Sequence, residues 1–367
     1  MTNNASINTL SEFLMQAQTQ YLVFDLGRGI QKIDNQMFFE WENQQAPCAY
    51  PRQDHAWFCI VFWNEKLSEE RYIWFIKLPL EERGFINQAA RNQFLEIIVT
   101  ALGKELEHTS NTQAQLPENP YVFQPSQQQL ADCNAHIRYI LNIQSSSNQA
   151  ASIKNVMAYL KAPNLQQNEN LWTEFSLQNI SDIVINPVHL DLVASNSRAN
   201  EVIGQSRNIC QTTIADNIHI YPTPLSNCIF ASLESVEVSE YLTSKLITLH
   251  KTIEEKNTAA LCLRALSYKP NKMTKQYIAS LIIDGNKLDL ETCVVIAGRF
   301  WNTLKDKQLL AQFMHQIADL DHEFLLFRSI YSDLVRVPEV REELLQFIRS
   351  TERTELVSKA IGSLFQQ

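Results

Sequence analysis

Eight glycines in 367 residues is the feature that most narrows what this chain can fold into. Average usage would supply roughly 7% glycine. Glycine serves where φ must be positive and where a backbone must approach a phosphate closely. Its scarcity therefore disfavours Gly-rich phosphate loops and turn-dense β architecture. Long helices joined by polar turns suit the composition better. The chain is long enough for two domains, or one domain and a repeat array, with a large core.

The formal net charge is −9, from 31 basic and 40 acidic residues. That balance favours solubility and gives no global attraction to polyanions, so a nucleic-acid partner is not expected. No run of four or more Lys/Arg breaks the pattern. The N-terminal MTNNASINTLSEFLMQ lacks the basic and apolar regions of a signal peptide. No stretch reaches about 18 apolar residues, so no membrane span is expected. Seven dispersed cysteines without C-x-x-C pairs read as reduced, buried small hydrophobes. The expected location is the cytoplasm.

The first hundred residues mix periods. Leu10, Phe13 and Leu14 behind Ser6 predict a helix near 7–18. Residues 21–26, the turn Gly27-Arg28-Gly29 and residues 30–33 predict a hairpin. A short helix at Met37–Trp41 precedes two strands, Ala56–Trp63 and Arg71–Leu78, and a long amphipathic helix near 87–106 comes after Pro79. Both strands are apolar at odd and even positions, which predicts a sheet covered on both faces. Residues 108–128, polar with three prolines, read as a linker.

Helices are expected near 127–142, 149–162 and 170–185; residues 187–225 are hard to read. From about Leu225 the chain repeats an apolar helix with a basic residue inside it, at Arg264, Arg299, Arg328 and Lys359, at spacings of 35, 29 and 31. A second apolar-striped run comes after each of the first three. That pattern predicts stacked helix pairs with the four basic residues in register. The expected class is α+β: a small N-terminal α/β domain with an antiparallel sheet (1–107), the linker (108–128), a helical middle (129–225) and an α-solenoid-like region (226–367).

Chemistry-bearing motifs are sparse. Val23–Gly29 places an Asp before a glycine turn, as phosphate loops do, but residues 30–33 beyond the turn resemble a strand and further glycine loops are missing. A hairpin turn is the reading adopted. Asp321-His322-Glu323 reads as a helix start rather than a metal site, and Asp54-His55 as an exposed turn rather than an acid–base pair. No G-x-S-x-G elbow occurs. No catalytic, cofactor-binding or metal-ligating residue is assigned. The candidate interaction surface is Trp57, Trp63, Tyr72 and Trp74, with the basic set Arg264, Arg299, Arg328 and Lys359 as structural bonds or a ladder for an acidic ligand.

Gln20–Arg28, Tyr50-Pro51, Ala56-Trp57, Phe62–Asn64, Trp74–Pro79, Ile296–Arg299 and Ala360–Gly362 together resemble a bacterial family, domain-of-unknown-function family three-five-four-nine. The likeness covers nearly the whole chain and implies no activity or binding residues. The order of elements in the first hundred residues is also similar to the small α/β fold of type III secretion chaperones, which keeps a homodimer in view. The sequence thus points to a non-enzymatic interaction or adaptor protein with a helical-repeat body and an unidentified protein partner. An enzyme with a motif-free site where head and repeats meet, and a small-ligand or nucleotide sensor, are the alternatives.

Overall fold

The structure is a computed structural model. It describes residues 7–64, 66, 70–107, 119–143, 146–163, 171–187, 199–285, 288–351 and 353–365, with the side chains of 101–107 and 199–203 left aside. Two compact units form. One comprises Met1–Gln124 with Tyr331–Arg349, the other Pro125–Ile330 with Ser350–Gln367. The class is α+β, as the sequence predicts.

In the first unit, α1 (Leu10–Gln16), β1 (Gln20–Asp25), β2 (Gln31–Ile33), α2 (Asn35–Glu42), β3 (His55–Trp63), β4 (Arg71–Pro79) and α3 (Gln88–Glu107) succeed one another in order. Helix α1 starts behind Thr9, whose hydroxyl accepts the Glu12 N–H. Ser6, the cap expected from sequence, lies outside the described residues. The sheet is antiparallel, in the order β2-β1-β3-β4. Strand β3 is central, with Val23 opposite Ile60 and Ile60 opposite Trp74. Val23, Phe58, Ile60 and Ile76 pack with Leu10 and Leu14 of α1, Phe38 and Trp41 of α2, and Phe94 and Ile98 of α3. The other face is dry as well: Phe24, Cys59 and Val61 are at most 1% exposed. A strand buried on both faces must be apolar at every position, which is why β3 reads as a continuous run.

Strand β4 is an edge, and the chain itself covers part of it. Lys77 N–H donates to Tyr121 O (2.7 Å) and Phe123 N–H to Phe75 O (3.1 Å). Phe123 then sits edge-on to both Trp57 and Phe75. Residues 331–349 join this unit through charge. Arg28 bonds Asp333 at 2.6 Å, Arg336 bonds Asp54 at 3.0 Å, and Arg341 donates to Glu82 O at 2.8 Å. The Arg28 side chain is 1% exposed, so its pairing with Asp333 resolves a charge that burial alone would make costly.

The second unit is helical. It contains α4 (Gln127–Leu141), α5 (Ser147–Lys161), α6 (Leu177–Ile185), α7 (Ala199–Asn217), α8 (Thr223–Leu233), α9 (Glu240–His250), α10 (Lys256–Arg264), α11 (Lys272–Asp284), α12 (Leu290–Arg299) and α13 (Lys307–Leu320). Next come α14 (Leu325–Leu334), whose last residues belong to the first unit, α15 (Pro338–Arg349) of the first unit, and α16 (Glu355–Ser363). Side-chain caps set the starts: Ser126, Ser146, Ser176, Ser239, Asn271, Asp289, Asp306 and Thr354 each accept a backbone N–H from the first turn. Each cap contributes about 1 kcal/mol.

Alternate helices stack. α4, α6, α8, α10 and α12 pack in succession as one layer, and α5, α7, α9, α11 and α13 as a second, with α16 against α13. Each helix therefore buries its apolar stripe against the helix two ahead, the arrangement of an α-solenoid. The array starts at α4, well before the first repeat visible in sequence. Residues 188–198, within the segment that is hard to read, lie outside the described residues, and α7 comes directly after them.

Candidate functional site

The stacking of alternate helices decides where the basic residues go. Arg264 is the last residue of α10 and Arg299 the last of α12, while Glu234 caps the C-terminus of α8. The three helices are consecutive members of one layer, so their ends meet. Both guanidinium groups bond the Glu234 carboxylate, Arg264 to one oxygen and Arg299 to the other. The carboxylate side chain is 8% exposed. Burial pushes its pKa up, but the Arg299 and Arg264 charges and their hydrogen bonds outweigh burial and hold it below the usual value. Arg328, half-buried in α14, is not among the partners of Glu234. Lys359 is exposed on α16 and pairs with Glu355 one turn back, at 2.8 Å. Of the four positions, Arg264 and Arg299 are brought together, on the Glu234 carboxylate.

The same layer carries a second polar cluster. Gln128, Asp132 and His136 recur every four residues along α4, a polar stripe that helical spacing makes legible in the sequence. Asp132 Oδ1 accepts from Ser181 Oγ of α6 (2.7 Å), Ser232 Oγ of α8 (2.7 Å) and Gln128 Nε2 (3.0 Å). One turn along, His136 Nε2 meets Ser235 Oγ at 2.9 Å. Ser235 donates its single hydroxyl proton to Ser232 O (3.1 Å). With the Ser235 proton on Ser232 O, His136 Nε2 is the donor to Ser235 Oγ. Burial, with a smaller effect of Arg207, drives the His136 pKa down to about 4, so the ring is neutral. Asp182, alongside, takes Arg138 (2.6 Å), Gln149 (3.1 Å) and Gln178 (3.1 Å).

In the first unit the glycine turn is a hairpin between β1 and β2. A Cβ added at Gly27 would overlap the Tyr50 carbonyl oxygen, so the space beside the turn that a phosphate would need is filled by the chain itself. Gly29 supplies the positive φ of 119°, which residues with a Cβ rarely adopt. Asp25 is buried at the strand end; its Oδ1 accepts the Gly27 N–H at 2.7 Å while Oδ2 has no hydrogen-bond partner among the described residues. Burial pushes its pKa up to about 8, against the lowering by the Gly27 hydrogen bond and by Arg28 and Arg52. No local pattern marks Asp25 as a buried acid, because its burial comes from the segments that pack over the turn.

The four aromatic candidates separate. Trp63 is buried. Trp57 is half-buried, its ring beneath the Arg52 guanidinium (4.1 Å) and its Nε1–H donated to Arg52 O (2.9 Å). Trp74 packs between Phe62 and Phe94. Tyr72 alone of the four is exposed, stacked on Phe62. Asp321 does start a helix, accepting Leu326 N–H (2.6 Å) and Glu323 N–H (3.1 Å). Asp54 pairs with Arg336, and His55 Nδ1 lies 2.7 Å from Gln53 O. Among the described residues, no group of three or more His, Cys, Asp and Glu is placed to hold a metal. No helix among them is long and apolar enough to cross a membrane.

Residues 5–365 match the family described as a protein of unknown function, DUF3549, and the chain belongs to it. No curated protein and no solved structure matches it.

Proposed function

We propose that this chain is a non-enzymatic interaction or adaptor protein that works in the cytoplasm and holds a partner protein on its helical body. The observation that carries this reading is the layer α4–α12, whose buried carboxylates are each held by two or three side chains of the helical body. Glu234 is clamped by Arg264 and Arg299, Asp132 by Ser181, Ser232 and Gln128, and Asp182 by Arg138, Gln149 and Gln178. Buried groups held in this way rigidify a scaffold. A two-layer stack of helices, in turn, supplies the extended surface that repeat proteins use for macromolecules.

The test is purification of the tagged full chain from its native cell, followed by cross-linking. A protein recovered in stoichiometric amount, with cross-links on exposed faces of α9–α13, supports the reading. Recovery of the chain alone, or as a homodimer, with a small molecule that raises its melting temperature would replace it with a ligand-sensing role.

A further inference from the structure

One end of the helical array combines exposed apolar side chains with a surplus of acid. Gln316 Nε2 of α13 donates to Ile282 O of α11 (2.7 Å), and a Cβ at Gly285 would overlap the Gln316 side chain. The C-termini of α11 and α13 therefore lie side by side. Short connections, 285–289 and 321–324, bring the starts of α12 and α14 to the same end. Ile283 of α11, Leu290 and Val294 of α12, Leu320 of α13 and Leu325 of α14 are 45% to 64% exposed there. Large apolar side chains gathered on one exposed surface mark an interaction site.

The charges around them are lopsided. Residues 251–256, 284–291 and 319–323 hold eight acidic residues against three lysines. Lys256 lies 3.9 Å from both Asp289 and Glu291, and Lys251 lies over the Tyr277 ring at 5.5 Å. Lys287 lies outside the described residues. His322 is exposed, while His315 and Arg328, one turn further in, are half-buried. Helix starts account for three of the acids: Glu255, Asp289 and Asp321 accept backbone N–H groups of α10, α12 and α14. Glu254 and Glu323 are exposed. Asp284 and Asp319 stand in the last turns of α11 and α13, which hold no basic residue. A carboxylate at the negative end of a helix is unfavourable, so neither is there to stabilise its own helix. Both are exposed, and each is next in sequence to an apolar member of the patch, Ile283 or Leu320.

We infer that this end of the array is a docking surface for an amphipathic helix of a partner protein, one whose apolar face is flanked by Lys and Arg. The inference rests on the adaptor reading above and names its partner class. Axes of packed helices lie about 8–10 Å apart, so the patch over α11–α14 extends roughly 10–20 Å, about two to four turns of a docked helix. Apolar residues on one face of that helix meet the patch, and its cations meet the surrounding carboxylates. A second copy docked through the same face would set one surplus of acid against another. Anionic lipid or nucleic acid would meet the same repulsion.

The test uses the full chain and a fluorescein-labelled tetradecapeptide of Leu and Lys with its leucines at helical spacing, measured by fluorescence anisotropy at about 100 mM salt. Saturable binding is expected, weakened at least about fivefold by Ile283→Ser with Leu320→Ser. Asp284→Asn with Asp319→Asn should weaken it about three- to tenfold. Either pair serves if the other fails to fold. Met273→Ser with Glu240→Gln, at the starts of α11 and α9, should leave binding within about twofold. A Leu/Glu peptide of the same spacing should bind at least about tenfold more weakly. Absence of wild-type binding, equal binding by all variants, or equal binding of the Leu/Glu peptide overturns the proposal. So does a homodimer in sedimentation that Ile283→Ser with Leu320→Ser dissociates, which would make a second copy the occupant. If wild type and the Ile283→Ser, Leu320→Ser variant capture the same stoichiometric protein equally, the adaptor reading stands and this surface falls. If the Leu/Lys peptide behaves as expected while no protein is captured, the surface stands and the adaptor reading falls.

Discussion

Arg299→Ala is the sharpest probe of the helical layer. In the structure Glu234 is buried and bonded by Arg264 and Arg299, whose side chains are 35% and 15% exposed. Removing one partner of a buried ion pair typically costs about 3–5 kcal/mol, because the remaining charge stays desolvated. Here Arg264 still holds one carboxylate oxygen, and its own exposure weakens that contact through solvent screening. The net cost should be about 2–3 kcal/mol. Urea unfolding monitored by far-ultraviolet circular dichroism at neutral pH measures it, as a lower midpoint with unchanged slope. The pH dependence has a fixed sign. The folded-state pKa of Glu234 lies below its ordinary 4.5, so the clamp contributes above that value and its contribution fades as pH falls through the folded pKa. The gap between wild type and variant should therefore narrow in acid. A double-mutant cycle with Glu234→Gln should return a coupling of about 1–3 kcal/mol. A loss under about 0.5 kcal/mol, together with no coupling, would refute the clamp and return Arg299 to the set of free basic residues.

Asp25 gives an alkaline signature. Its folded pKa of about 8 stands above the ordinary 3.8, so stability should fall as pH rises from about 4 to 8. Asp25→Asn should flatten that fall by about 2–5 kcal/mol, and a wild-type profile already flat over this range would contradict the burial argument. His136 acts on the acid side: with a folded pKa of about 4 against 6.5, it must charge on unfolding. His136→Gln should remove about 1–3 kcal/mol of stability loss between pH 6.5 and 4, measured in the same titration. Two glycines make a matched pair for thermal or chemical denaturation. Gly27→Ala forces a Cβ into the Tyr50 carbonyl and should cost about 3 kcal/mol or more. Gly298→Ala meets nothing within 4 Å in α12 and should stabilise by about 0.5–1 kcal/mol; equal effects would mean the turn around Gly27 is not closed.

Much of this protein is legible in its sequence because it is local. Apolar residues at both odd and even positions mark β3 as buried on two faces, and the hairpin turn is announced by two glycines between β-rich runs. The starts of α4, α5 and α11 are set by Ser126, Ser146 and Asn271, each capping an N–H within its own first turn. Even the recurrence of Arg264 and Arg299 at one place in successive units is readable, since both end a helix of the same layer. Their shared partner is not: Glu234 lies 30 and 65 residues away, and nothing in their neighbourhood names it. Arg28 and Asp333 meet across 305 residues, which is how a segment that reads as one more helical repeat joins the first unit. Periodicity and capping are short-range couplings between residues three or four apart, so a sequence displays them directly. The pairing of a buried charge is settled by whichever opposite charge the packed helices bring within reach, and only the tertiary structure decides that.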